Sequence, residues 1–428
     1  MLTSAFAGNI NPPKNFHNLA GFSRRSSSSL QIGPSDLFVK ILWLEQQNNT
    51  LIIISLDTLY FPIEIANIID QYCFENFQIN KNNILYNATH THSAPSIALE
   101  HFGEINKDYV DLIVKEIKKG IDNCSQNKSR AEIEIRSFPA GNKIIGRRKI
   151  GRDIKSFFIK KKMLLLPNEN QEIDDEIRTI QFKATNGACL ATIINLSCHP
   201  VIANTNNYSA DFPGQIEEKV SNSFGGTTLF LQGFCGDIRP NLTTSSTSPL
   251  DLVRYLKLFF HKKVFKLADG NDFKKFCDDI ITRIFSAHVE KVDTAKFDTI
   301  TSRAFEHRLE SQTQKTIKLF KTKLIKLGDT IIVSIPAEVN SKYFVKLKNH
   351  FLNYKIVPLG YAEDMLGYLP FHEEIPEGGY EVNSATNYGW DSPLSIASTH
   401  NYYYRLVKEL NLLLQDDLPT QADKNKMV

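Results

Sequence analysis

The sequence predicts an α/β fold in which mixed β-sheets are layered with helices. Two observations predict it: short runs rich in β-branched residues recur along the 428 residues, and longer segments with helical periodicity lie between them. The predicted strands are not spaced as in a regular doubly wound sheet, so we expect sheets of mixed strand direction. No repeat of fixed period is visible, which argues against a solenoid or propeller.

The predicted strands are short, apolar and rich in valine, isoleucine and threonine, as is typical of buried strands. In chain order they are "LFVKILWL" (37–44), "LIIISLD" (51–57), "NILYNAT" (83–89), "AEIEIRSF" (131–138), "IRTIQFKA" (177–184), "ACLATIINLSC" (188–198), "TTLFLQGFC" (227–235) and "DTIIVSIP" (329–336).

The predicted helices lie between these strands. Examples are the segments 61–77, 106–125, 213–223, 250–288 and 338–351. No clean linker divides the chain, so we expect residues 1–416 to form a single domain and residues 417–428 to form a disordered tail. The serine-rich segment 24–29 is predicted to be a flexible loop.

Composition and charge bear on whether the protein is folded and on which partners it could have. The chain has 42% hydrophobic residues, 11% aromatic residues and a net charge of +3, which indicates a folded protein and gives no reason to expect nucleic acid. The basic stretch 143–162 is either a solvated loop or a contact for an anionic partner. It could dock on an anionic membrane surface, although we do not expect membrane contact.

Three features predict a cytoplasmic location. The N-terminus has no secretory signal pattern, and the longest apolar runs are too short to span a bilayer. The six cysteines form no C-x-x-C pair and no compact framework, which fits reduced thiols.

A closely spaced pair of histidines follows the third predicted strand, in "YNATHTHSAPS" (86–96). If the backbone stays extended there, His90 and His92 point to the same face. Such a pair is either a polar surface feature or the beginning of a metal or acid–base site, and the pair alone does not decide between them.

Other chemically capable side chains also follow predicted strands. His199 follows "ATIINLSC" and Glu338 follows "TIIVSIPA". Two histidines and a carboxylate at three strand ends provide the N and O ligands of a catalytic zinc site. Spacing alone leaves open the alternative that these are unrelated polar residues at the starts of loops.

Five motifs stand in order along the chain: "NATHTHSAPS", "LSCHPVIANTNN", "QGFCGDIRPN", "IPAEVN" and "GYLPFHEEIPEGGYEV". They are preceded by the opening segments "LTSAFAGNINPP…GFSRR" and "DLFVKILWLE…LIIISLD". In order and rough spacing, these segments resemble the catalytic domain of neutral, non-lysosomal ceramidases and their bacterial relatives, and the resemblance runs from about residue 3 to 415.

The resemblance implies one zinc ion as cofactor. Carried over to this sequence, its ligands are His90, His199, Glu338 and Tyr368. His92 corresponds to a hydrogen-bonding residue of the site that could protonate the leaving amine.

The resemblance also implies two residues at the reacting carbonyl. Tyr380 lies twelve residues after Tyr368, as the second tyrosine of the family does. Arg147 falls where the family has an arginine that contacts substrate or oxyanion, but the neighbouring Arg148 makes this placement looser. His92, Arg147 and Tyr380 are therefore the predicted catalytic residues.

The turn "GDIRPN" departs from the family, because Arg239 occupies the position of a serine that has been assigned as nucleophile or substrate contact. A protonated guanidinium cannot attack an acyl carbon. Arg239 is either a contact for an anionic group or structural, and Asp237 is expected to fix the turn. Asp237, Arg239 and Arg148 form the predicted substrate-binding group. We also expect no immunoglobulin-like C-terminal domain.

These features predict a zinc-dependent amidohydrolase that uses zinc-activated water on a small-molecule N-acyl substrate. The absent signal pattern and the arginines favour a soluble compound such as an N-acylated amino sugar. A ceramidase-type lipid amidase, which releases a fatty acid from an N-acyl sphingoid base, is the alternative. A non-catalytic binding protein on the same fold is the second alternative. The oligomeric state is not predicted.

Overall fold

The computed structural model describes most of the chain, and predictions outside its described ranges are not tested. The loop predicted at 24–29, the tail predicted at 417–428 and the first part of the predicted helix 250–288 all lie outside the described residues. The described ranges are 1–12, 19–21, 35–47, 49–97, 105–152, 161–245, 261–287 and 299–415.

The largest sheet has eight strands in the order β10-β9-β8-β5-β1-β2-β3-β4. Its two edge pairs, β3 with β4 and β9 with β10, are parallel, and the pairs between them are antiparallel, so the expected mixed sheet is confirmed. Its strands are β1 (Leu2–Asn9), β2 (Phe38–Gln46), β3 (Asn49–Leu56), β4 (Ile84–Ala88), β5 (Ser129–Pro139), β8 (Glu176–Ala184), β9 (Cys189–Leu196) and β10 (Thr227–Gln232).

A second, four-stranded sheet has the order β14-β15-β16-β18, with β16 and β18 parallel. Its strands are β14 (Ile300–Glu310), β15 (Ile317–Leu327), β16 (Thr330–Ser334) and β18 (Lys355–Leu359).

The two sheets pack face to face around a shared apolar core. Alternate residues of each strand point into this core, since side chains alternate across a strand. Leu42, Leu44, Ile53 and Leu231 enter it from the larger sheet, and Ile325, Ile332, Val357 and Leu359 enter it from the smaller one.

Helices cover the outer faces of both sheets. On the eight-stranded sheet, α2 packs against β1 and β2, α3 packs against β9 and β10, and α1 and α4 pack beside these two helices. On the other side, α5 packs against β18 and α7 against β14 and β15, which gives four layers. The helices are α1 (Ile63–Phe77), α2 (Lys107–Gln126), α3 (Asp211–Phe224), α4 (Gly270–Ala287), α5 (Lys342–His350), α6 (Tyr380–Asn383) and α7 (Ile396–Gln415).

Within the described ranges, three small sheets lie outside the two large ones and bring distant segments together. The pair β17–β19 places Glu338 opposite Tyr368, and β11 lies beside β6 with Arg239 opposite Ile145. Their strands are β6 (Ile144–Arg152), β7 (Lys161–Asn168), β11 (Ile238–Pro240), β12 (Thr243–Thr244), β13 (Val264–Phe265), β17 (Glu338–Val339) and β19 (Tyr368–Leu369).

The predicted strands are all found, with ends that differ by a few residues. The prediction of a helix over 250–288 is wrong for residues 261–269, which include β13, and helix begins only at Gly270. The long hairpin β14–β15 was not predicted, because each of its strands carries four charged residues, which interrupt the apolar run. Within the described ranges, no helix is long and apolar enough to cross a membrane.

Candidate metal centre

Strand ends from both large sheets meet at one buried point. His90 follows β4 and His199 follows β9, both in the eight-stranded sheet, whereas Glu338 follows β16 of the four-stranded sheet. All three side chains are at most 2% exposed. The structure therefore brings together the three residues that sequence spacing alone could not connect.

The local conformation at His90 differs from the extended strand that the histidine pair suggested. Strand β4 ends at Ala88, and His90 has a φ of 65°, in the left-handed region that non-glycine residues seldom adopt. Even so, the Nε2 atoms of His90 and His92 lie 3.2 Å apart. A turn, and not strand alternation, brings the two rings together.

The donor atoms form two overlapping sets. The Nε2 atoms of His90 and His199 lie 3.2 Å apart, and Glu338 Oε2 is 3.4 Å from each of them. The half-buried His92 completes a group of three histidines whose ligand atoms lie within 4.8 Å of one another. His90 and His199 belong to both sets.

The hydrogen bonds of the histidines define which nitrogen faces the centre. His90 Nδ1 donates to the Leu59 carbonyl at 2.8 Å, and His199 Nδ1 donates to the Cys235 carbonyl at 2.9 Å. Because a carbonyl only accepts, each Nδ1 carries a proton, and each Nε2 presents a lone pair when the ring is neutral. Lone pairs and a carboxylate that converge at this distance repel one another unless a cation lies between them. The donor set therefore fits a metal ion.

The protonation states of these residues agree with that fit. Burial, followed by the charge of Arg147, holds the pKa of His199 well below its usual value of 6.5, so its imidazole is neutral. Burial alone would raise the pKa of Glu338, but the charge of a protonated His90 and hydroxyl donors such as Tyr388 lower it to about 2. A metal cation bound at the same place would act on this carboxylate in the same direction. Neutral imidazole and ionised carboxylate are the forms that bind zinc.

Tyr368 lies against this cluster, since its strand β19 pairs with the strand of Glu338. Its hydroxyl accepts a hydrogen bond from Arg147 Nη2 at 3.0 Å. Burial and Glu338 raise the pKa of Tyr368 well above 10, against the opposing effect of Arg147. Tyr368 is therefore a neutral phenol unless a cation assists the loss of its proton.

The two neighbouring arginines have different surroundings. Arg147 lies over the rings of Tyr368 and the 47% exposed Tyr380, at 5.6 and 5.4 Å, and its Nε donates to Glu381 at 2.8 Å. Arg148 turns to the other oxygen of Glu381 at 2.8 Å, and also binds Glu377 and backbone carbonyls. The donors of Arg148 are thus occupied by the protein, and its predicted contact with substrate stays a prediction.

Hydrogen bonds from two distant segments of the chain hold the turn that carries Asp237 and Arg239. Asp237 is fully buried and accepts hydrogen bonds from the Ser341 amide at 2.7 Å, the Ser341 hydroxyl at 3.1 Å and Gln171 Nε2 at 2.5 Å. Burial raises the pKa of Asp237 to about 6. The two bonds from Ser341 tie the turn to the start of α5.

Arg239 lies beside the cluster. Its guanidinium is 4.7 Å from the ring centre of Phe265, and burial together with the charge of Arg147 lowers the pKa of Arg239 to about 10. Among the described residues, no carboxylate forms an ion pair with it.

Sequence reasoning missed four residues around the cluster. Glu381 follows Tyr380 directly, so the motif that gave Tyr380 could have indicated it. The other three are tyrosines whose hydroxyls contact Glu338, and no local signal in the sequence distinguishes them from core aromatics. They are Tyr60, Tyr361 and Tyr388.

Comparisons with known proteins agree with this architecture. No protein-family model and no curated protein matches the sequence. Among solved structures, neutral ceramidase from Pseudomonas aeruginosa is similar with a TM-score of 0.72 and 14% identity, over 98% of this chain and 75% of that one. A ceramidase complexed with C2 is similar with a TM-score of 0.74 and 14% identity, over 98% of this chain and 76% of that one. Over nearly its whole length, this chain therefore has the fold of the neutral ceramidases.

Proposed function

We propose that this protein is a zinc-dependent hydrolase that cleaves the amide bond of an N-acyl substrate. The observation that carries the proposal is the convergence of His90 Nε2, His199 Nε2 and Glu338 Oε2 within 3.4 Å of one another. All three atoms are acceptors, and such a group is stable around a cation.

His90, His199 and Glu338 would hold the zinc, with Tyr368 as the fourth ligand. Nitrogen and oxygen ligands of this kind suit zinc, and a catalytic site keeps a position open for water or substrate. Bound zinc lowers the pKa of water to roughly 7 and polarises a carbonyl oxygen.

The surrounding residues bind and orient the amide. Arg147 uses Nε for Glu381 and one Nη2 proton for Tyr368, and among the described residues its Nη1 group has no hydrogen-bond partner. Nη1 can therefore donate to the substrate oxygen as negative charge develops, together with the Tyr380 hydroxyl at the exposed edge. His92 Nδ1 donates to the Gly21 carbonyl, so its Nε2 can hold the proton that the leaving amine needs.

A lipid N-acyl substrate is the better supported class. The preference for a soluble anionic compound rested on several guanidiniums near the site that lacked an anionic partner. In the structure, Arg147 and Arg148 share the buried carboxylate of Glu381, and Arg148 also binds Glu377. Their charges are therefore balanced within the protein. The similarity in fold to ceramidases supports the same class.

A soluble N-acylated amino sugar with an acidic group is the second candidate. Arg239 favours it, because this guanidinium lies close enough to Arg147 and Tyr368 for their charges to affect its pKa. Among the described residues, Arg239 has no carboxylate partner that would neutralise it.

The test compares kcat/KM for long-chain ceramide in micelles with kcat/KM for an acidic N-acetylamino sugar. We expect ceramide to be preferred at least tenfold, about 1.4 kcal/mol in transition-state binding. Arg239→Gln should leave ceramide turnover within about twofold of the unchanged protein. A tenfold preference for the sugar that disappears in Arg239→Gln would overturn the lipid assignment. Release of fatty acid or acetate that is unaffected by removing all metal would overturn the zinc mechanism.

A further inference from the structure

The carboxylate of Glu338 has two differently occupied oxygens. Its Oε2 faces the Nε2 atoms of His90 and His199 at 3.4 Å. Its Oε1 accepts hydrogen bonds from the hydroxyls of Tyr388 at 2.8 Å and Tyr60 at 3.2 Å, whereas Oε2 accepts a longer one from Tyr361 at 3.4 Å. The acceptor capacity of Oε1 is thus used by two phenol donors.

We infer that Tyr60 and Tyr388 are positioning residues that restrict Glu338 to binding the metal through one oxygen. This inference rests on the proposed function, since it concerns the same metal. A carboxylate that bound through both oxygens would have to rotate Oε1 toward the histidines. That rotation would break two hydrogen bonds to an ionised acceptor in a buried site, and the hydrogen bond between the two hydroxyls, at 3.2 Å, can compensate for at most one of them.

The two tyrosines are themselves fixed by packing. Tyr60 follows β3 and Tyr388 ends a short 3₁₀ helix, yet their rings meet edge to face at 6.4 Å and their hydroxyl oxygens lie 3.2 Å apart. They are 4% and 7% exposed. Gly367, with a φ of 99°, makes room for Tyr388, because a Cβ at this position would lie 2.9 Å from the Tyr388 Cβ and Cγ atoms. The surrounding protein therefore fixes the positions of Tyr60 and Tyr388 before any ligand binds.

The expected consequence is a low coordination number. With one oxygen from Glu338, one nitrogen from each of His90 and His199 and the Tyr368 oxygen, the protein supplies four ligands, and a fifth coordination position stays open for water or the substrate carbonyl. If Glu338 contributed both oxygens, that position would be filled or crowded. Tyr60 and Tyr388 would thus keep the site open without touching substrate.

The experiment uses the full chain reloaded with cobalt(II), whose visible absorption weakens as its coordination number rises. Variants are Tyr388→Phe, Tyr60→Phe and the double variant. The matched control is Tyr402→Phe, which removes a buried hydroxyl that bonds the Thr322 hydroxyl at 2.7 Å in another part of the fold. Zinc affinity is measured in parallel by competition with a chromophoric chelator.

We expect the double variant to bind zinc roughly 10- to 100-fold more weakly, the usual range for residues that orient metal ligands. Its cobalt absorption should fall relative to the unchanged protein, and each single variant should show part of the effect. Tyr402→Phe should change neither quantity, even if it lowers thermal stability by a similar amount.

The possible failures are distinguishable. If the unchanged protein binds cobalt but the double variant matches Tyr402→Phe in zinc affinity and cobalt spectrum, the positioning role of Tyr60 and Tyr388 is overturned. The proposed function then stands. If the unchanged protein binds neither zinc nor cobalt, both the positioning role and the proposed zinc-dependent function are overturned. If the double variant does not fold, Tyr388→Phe decides the question, because it removes the shorter of the two hydrogen bonds.

Discussion

Glu381 holds Arg147 in place beside the metal centre: its Oε1 accepts a hydrogen bond from Arg147 Nε at 2.8 Å, and both side chains are at most 5% exposed. The second oxygen of the same carboxylate is taken by Arg148. The guanidinium that would face the reacting carbonyl is therefore oriented by a residue directly after Tyr380.

Glu381→Gln should lower kcat, because the amide lacks the negative charge that fixes both arginines. We expect a loss of roughly 10- to 100-fold, and of about 10²- to 10³-fold for Arg147→Lys, the range for removal of one oxyanion donor. Steady-state kinetics and zinc analysis of the same preparations check this, and zinc content should not change.

Glu409→Gln is the matched control for that prediction. Glu409 is also buried and binds two arginines, Arg303 and Arg405, but it lies on α7 in the outer helical layer. It should lower stability without a matching loss of kcat. Equal kinetic effects at the two glutamates would contradict a specific role for Glu381.

Removal of a shared ligand should remove the metal. His90→Ala and His199→Ala each delete one of the converging Nε2 atoms and should reduce zinc to well below one ion per chain, measured by elemental analysis. If Glu338 is the third ligand beside His90 and His199, His92→Ala should retain zinc and lose turnover. Glu338→Gln should then lose zinc. The reverse pattern would show that the three histidines bind the metal. His350→Ala, at the end of α5, is the control.

No acyl-enzyme should form during turnover. The sequence resemblance to ceramidases implies a serine at the position that Arg239 occupies here, and a protonated guanidinium has no lone pair for attack. Chelators should abolish activity, and serine-directed reagents should leave it largely intact. Acid quenching during turnover, followed by intact-mass analysis, should detect only the unmodified chain. A mass increase equal to the acyl group would overturn the prediction.

Asp211 should make the free energy of unfolding depend on pH. Burial raises the pKa of Asp211 to about 6, although backbone amides including those of Ala203 and Phe212 donate to it. The unfolded value is about 3.9, so the folded state binds more protons between these values, and stability falls as pH rises from about 4 to 6. Two pKa units correspond to about 3 kcal/mol.

Urea unfolding of the unchanged protein and of Asp211→Asn at pH 4 to 8 measures this effect. Asparagine tolerates the left-handed conformation of residue 211, whose φ is 54°, so it is a conservative replacement. The stability of the unchanged protein relative to the variant should decrease between pH 4 and 6 and then stay level. An increase over that interval would contradict the assigned direction of the pKa shift.

Local pattern was sufficient to predict eight strands, most of them in the largest sheet, and the layered α/β class. Runs such as 51–57 are apolar and β-branched, and that preference depends on neighbours a few residues away. Order along the chain was also sufficient to propose His90, His199, Glu338 and Tyr368 as one site, through resemblance to a family. Pattern failed where charged residues interrupt the apolar run, as in β14 and β15, because such strands resemble solvated segments.

Only the tertiary structure decided how these residues meet. The turn at His90 and the 3.2 Å approach of His90 to His199 depend on strand ends that are 109 positions apart, so no local window contains them. The pairing of Arg147 with Glu381 spans 234 positions. The sequence predicted Arg147 as a contact for substrate or oxyanion. In the structure, the carboxylate of Glu381 balances the charge of Arg147. Charge balance and lone-pair direction are properties of distances between side chains, and the folded chain alone sets those distances.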